Sequence, residues 1–186
     1  MDFETLSPES NIKFQQARRQ AQLSQLANLL RGHNRNLLSF DEVRQKLGLR
    51  QSRRLGRQQI ALDNIVGSVG RYQEFTVDFL PRIGSKSLAM RWRGLYDLAN
   101  GATGFPPIQA FQVGPAYFVE DGNHRVSVAR TNGAKSIEAY VTVYDTPADL
   151  TTIAALRGRL ADDSADRTAS EAKAKSTLLI SSLFTL

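Results

Sequence analysis

The chain has 186 residues, 41% hydrophobic and 23% charged, with a formal net charge of +6. That balance describes one folded domain with a core of its own plus an accessory segment, and not a disordered chain. There is no cysteine, which excludes disulfides, thiolate catalysis and cysteine metal sites, and the two histidines, His33 and His124, argue against a histidine-rich metal site.

The opening residues, MDFETLSPES, carry no basic-then-apolar leader pattern. No apolar run approaches the roughly 18 residues that a membrane span needs, so the expected location is the cytoplasm, away from membranes. The charge is unevenly placed. Residues 1–60 hold 11 Lys and Arg against 5 Asp and Glu, whereas residues 61–150 hold 8 against 9. The densest run is Arg44, Lys46, Arg50, Arg53, Arg54 and Arg57. A basic segment beside a nearly neutral one suits contact with a polyanion such as DNA, or else a solvated arm.

In chain order, residues 11–31 predict a helix with an apolar stripe of Leu23, Leu26, Ala27 and Leu30, stopped at Gly32. Ser39 with Glu42 three residues later is a capping box that opens a short helix through Val43 and Leu47 to Gly48. Arg50 to Gln59 reads as a linker or a basic helix. A short strand is expected at Ile60-Ala61-Leu62, then an irregular loop from Ile65 to Arg71. There, Gly67, Ser68 and Gly70 are either an anion nest or plain turn formers, and Arg71 is either a site residue or a surface ion pair.

Leu88, Trp92, Leu95, Tyr96 and Ala99 recur at helical spacing and predict an amphipathic helix over 87–99, with Trp92 in the core. Pro106-Pro107 resets the chain to extended geometry. A hairpin follows, with strands at 108–113 and 116–120 across Gly114-Pro115. Ile137, Ala139, Val141 and Val143 alternate with polar positions, as in a half-buried strand. Residues 150–160 suggest a short helix, 161–176 a polar tail, and 177–186 an apolar end too short to span a bilayer.

Between the hairpin and the last strand lies Asp121-Gly122-Asn123-His124-Arg125, followed by a short helix that stops at Gly133. A glycine turn thus leads from a strand end into a helix N-terminus, where unpaired N–H groups and the helix dipole favour an anion. His124 and Arg125 would add two donors over the same spot. The chemistry suits a phosphate, and the alternative is an exposed, solvated turn.

This order of pieces over residues 58–145 resembles the ParB/sulfiredoxin-like superfamily. The wording Ile65 to Arg71, Phe79-Leu80-Pro81-Arg82 and Tyr117 to Arg130 is similar to a bacterial ParB-like branch with a helical N-terminal extension. The resemblance implies an α+β fold, a small mixed sheet with helices. It also implies a division into a helical basic extension (1–57), a ParB/sulfiredoxin-like domain (58–148) and a short helix with a polar, partly mobile tail (149–186).

Members of that superfamily include CTP- and centromere-binding partition proteins, ATP-using sulfiredoxins, a free-serine kinase and proteins called nucleases. In the best-understood of them the Gly-x-x-Arg turn meets nucleotide phosphates. The resemblance therefore implies a nucleoside di- or triphosphate, with magnesium, held by Gly122, Asn123, His124 and Arg125 with Arg71 and Ser68. Sulfiredoxin chemistry is excluded, because Asn123 stands where that enzyme needs cysteine. Only 36 residues follow Leu150, too few for the usual centromere-binding domains.

A nucleotide or other phosphorylated ligand, in a regulatory or DNA-associated protein, is the leading expectation. Self-association is left open. The alternatives are a DNA-binding regulator and a kinase or nuclease. In the first, residues 40–47 and Arg50, Arg53, Arg54 and Arg57 would form a helix-turn-helix-like pair. The second would need a carboxylate base, for which Asp121, Glu120 and Glu74 are candidates. Asp121 could equally hydrogen-bond its own turn. No metal-binding cluster is visible in the sequence.

Overall fold

The computed structural model describes residues 6–30, 37–82, 85–102, 104–146, 150–151 and 154–156. The fold is α+β, built on a six-stranded mixed sheet with helices on both faces. The chain runs α1 (Pro8–Leu30), β1 (Leu38–Ser39), α2 (Phe40–Lys46), β2 (Ser52–Ala61), a 3-10 turn (Leu62–Asn64) and β3 (Ile65–Ser68). It continues through α3 (Lys86–Ala99), β4 (Ile108–Val113), β5 (Ala116–Asp121), α4 (Asn123–Thr131) and β6 (Ser136–Tyr144). Across the sheet the strand order is β1-β3-β5-β4-β6-β2.

Several sequence expectations change here. The basic stretch is neither linker nor helix: residues 52–61 form an edge strand, antiparallel to β6. Its side chains alternate across the sheet until a bulge between Arg54 and Gly56, and Ile60 reaches the core opposite Ile137. No second helix therefore exists for the helix-turn-helix-like pair. The boundary placed at 57/58 falls inside β2, and Leu38–Ser39 pairs with β3, so the sheet recruits part of the expected extension.

The expected loop at 65–71 begins as a buried strand. Gly67 is needed there because a Cβ would stand 2.2 Å from the Leu38 carbonyl oxygen and 2.7 Å from the Phe118 ring. In α1 two leucines of the predicted stripe face outward, Leu23 64% and Leu26 60% exposed. Phe14, Ala17 and Ala21 form the packed face, where the two alanines allow close approach to α3.

The helices stack in order on one sheet face. Val126 and Ala129 of α4 join the core over the sheet with Ile60, Ile108 and Val119. Outward from α4, Val128 meets α3, and the Trp92 indole donates a buried 2.9 Å hydrogen bond to the Ser127 hydroxyl. Phe14 of α1 then packs on Trp92, with ring centroids 5.5 Å apart. Ser7 caps α1 by accepting from the Ser10 N–H at 3.1 Å, while Pro8 needs no partner at that first helical position.

On the other sheet face, α2 is capped by Ser39, which accepts from the Glu42 N–H at 3.5 Å. Phe40 of α2 packs among Phe111, Phe118 and Tyr144, and Leu150 and Leu156 complete that layer. Of the helix expected over 150–160, residues 154–156 are helical, and the tail expected over 161–186 lies outside the described residues, as does the stop at Gly32.

Candidate functional site

The turn between β5 and α4 is built on Gly122, whose φ of +112° suits glycine alone. A Cβ there would lie 2.6 Å from Ile108 Cγ2. No side chain caps α4. The first-turn N–H groups of Asn123, His124 and Arg125 have no carbonyl one turn back within the helix, so its positive end stays open.

Arg125 takes a different part from the one expected. Its guanidinium donates to the carbonyls of Pro106 (2.9 Å) and Pro107 (2.6 Å) and pairs with the Asp121 carboxylate. It fastens the turn to the Pro-Pro segment ahead of β4. Asp121 is thereby engaged as an ion-pair partner, whereas the Glu120 carboxylate, next to it, has no hydrogen bond or ion pair among the described residues.

Asn123 and His124 are buried, each only 6% exposed, rather than displayed on the surface. Asn123 donates to the Gly70 carbonyl at 3.3 Å and leaves its own amide oxygen without a partner. His124 packs edge-on against the Phe75 ring at 5.2 Å, and neither ring nitrogen has a partner. Burial, then the charges of Arg91 and Arg71, push its pKa down to about 4, so the imidazole is neutral near pH 7. A neutral imidazole offers one donor and one acceptor.

Ser68 lies apart from the open space. Its hydroxyl is fully buried between the carbonyls of Gly70 (2.5 Å) and Val119 (3.0 Å), so it holds the loop rather than facing a ligand. Gly70 also accepts from Asn123, which joins that loop to the start of α4. Arg71 follows at φ +56°, with an ion pair to Glu74 at 3.5 Å.

These groups border a cavity of about 940 Å³. Gly70, Arg71, Glu120 to Arg125 and Pro106 form one side, and α3 supplies the other with Ser87, Met90, Arg91, Gly94, Leu95 and Leu98. A side chamber of about 300 Å³ shares Arg71, Ser87, Arg91 and His124 and adds Glu74, Ser85 and Leu88.

Sequence reasoning missed Arg91. Ser87, Arg91, Gly94, Leu95 and Leu98 recur three and four apart on α3, beside the buried Leu88-Trp92-Tyr96 face. A cation and a glycine inside an otherwise apolar stripe were the available signal. Arg50, Arg53, Arg54 and Arg57 do not line the cavity. Among the described residues, no group of three or more acidic or histidine side chains is placed to hold a metal ion, and no helix is long and apolar enough to cross a membrane.

Among solved structures, the chain is similar to one described as "Crystal structure of Sulfiredoxin from Arabidopsis thaliana". The likeness spans 56% of this chain and 96% of that one, at 18% identity and a TM-score of 0.34. No family model matches the chain, and no curated protein matches it.

Proposed function

We propose that the cavity at the start of α4 binds a phosphorylated small molecule, with a nucleotide as the leading class. One observation carries this reading: the uncapped α4 N-terminus and two arginines, Arg71 and Arg91, face one cavity. The Arg91 guanidinium has no hydrogen bond or ion pair among the described residues. Unsatisfied N–H groups and guanidinium forks are the donors that phosphate oxygens require. Met90, Leu95, Leu98 and Pro106 supply an apolar wall for the organic part of the ligand.

The donor set fits phosphate better than it fits a protein-bound magnesium ion. Glu120 is the one unpaired carboxylate on the wall, and a magnesium ion there would travel on the ligand's own phosphates. Thermal shift with CTP, ATP, ADP, GTP and inorganic phosphate, with and without Mg²⁺, tests the assignment. A binder present at about 100 times its Kd should stabilise the fold by about 2.7 kcal/mol. Arg91→Ala should lose most of that shift and keep the unliganded midpoint, and an undiminished shift in Arg91→Ala together with Arg71→Ala overturns the site.

A second reading, phosphoryl transfer or hydrolysis, is favoured by Glu120, a free carboxylate on the same wall that could accept a proton from an attacking hydroxyl. Glu120→Gln should then abolish phosphate release from a bound nucleotide at unchanged affinity. Equal release from both proteins removes Glu120 from that role.

A further inference from the structure

We infer that the open face of β2 and β6 is a docking surface for single-stranded nucleic acid. The strand register puts Arg54 beside Thr142, Arg57 beside Tyr140 and Gln59 beside Glu138 on one side of the sheet. On the next strand Gln109 stands beside Tyr140. Tyr140 is 53% exposed, the one aromatic among the large exposed hydrophobic side chains of the described residues. The α2 layer covers this sheet face around Phe111, Phe118 and Tyr144 and, among the described residues, leaves the Tyr140 end bare.

The occupant follows from the chemistry. Arg54 and Arg57 are cations spaced along this face of the strand, Arg50 precedes the strand, and Arg53, paired with Val143, lies on the opposite face. A polyanion with planar groups matches them: phosphates meet the guanidiniums, and a base stacks on the phenol ring. The Gln109 amide can hydrogen-bond base edges, whereas the Gln59 amide donates to the Ser136 hydroxyl at 2.8 Å. A duplex would hide its base faces and could use the cations alone. The ion pair of Arg57 with Glu138, at 2.5 Å, competes with the phosphate. Arginines on an edge strand also discourage strand-to-strand aggregation. That role leaves Tyr140 unexplained.

Fluorescence anisotropy with a labelled 12-nucleotide oligothymidylate tests the surface on the full chain. Tyr140→Ile, which suits a strand, should weaken binding about tenfold, and Tyr140→Phe should preserve it. Arg54→Gln with Arg57→Gln should reduce the slope of log affinity against log salt by roughly 1.4, as for two single-strand phosphate contacts. Glu138→Gln should tighten binding by freeing Arg57. Equal affinity for a duplex of the same length, indifference to Tyr140→Ile, or equal binding of a poly-glutamate peptide overturns the inference.

Discussion

His124 shows how much one side chain's setting changes its chemistry. As a surface residue it would be protonated near pH 6.5, but burial and two neighbouring arginines hold its pKa near 4. The unfolded chain therefore binds a proton more readily than the folded one. This contribution to stability is complete above about pH 6.5 and is lost as the pH falls through 4, by about 3 kcal/mol at most. Urea unfolding of the native chain and of His124→Gln at pH 7 and pH 4.5 checks this. The native protein should lose more stability between the two pH values, and parallel losses would show that His124 does not titrate in this way. Arg125 teaches a related lesson: a guanidinium at a helix N-terminus can be the clasp that shapes the turn, here through Pro106, Pro107 and Asp121.

Among the elements, α1 and β2 are where periodicity pointed the wrong way. In α1 the leucines looked like the packing stripe, yet Phe14, Ala17 and Ala21 are the residues in contact with Leu88, Trp92 and Tyr96. Phe14→Ala should cost about 3–5 kcal/mol, because it opens a cavity against Trp92. Leu23→Ala, at an exposed position, should change stability by less than about 0.5 kcal/mol. Chemical denaturation of the two variants decides between the faces, and the reverse ranking would restore the leucine stripe. The β2 stretch failed for a different reason. Its polar side chains lie on an edge, where one strand partner suffices and neither face needs a full apolar row.

At the scale of the molecule, the sheet is assembled from parts distant in sequence. β1 and α2 come from the first 46 residues yet close one end of the sheet, through the β1–β3 pairing and the Phe40 cluster. A fragment of residues 58–148 would lack β1, α2 and the first half of β2. It should show no cooperative thermal transition, whereas residues 6–156 should show one. A sharp transition in the shorter fragment would establish that the domain begins near 58.

Local chemistry was enough to find α2 from Ser39 and Glu42, α3 from its spacing, the hairpin from Gly114-Pro115, and α4 from Gly122 and Gly133. Each depends on neighbours within a few residues, so the linear order of side chains carries it. The same locality singled out the Asp121 to Arg125 turn as a candidate anion site. Only the tertiary structure decided what surrounds that turn: that Arg125 is spent on Pro106 and Pro107, that Ser68 faces backbone, and that Arg91 closes the cavity from α3. It also decided that the arginines of β2 lie on a sheet edge beside Tyr140. These are contacts between segments far apart in the chain, and their geometry is set by packing of the whole core, which no short window of sequence contains.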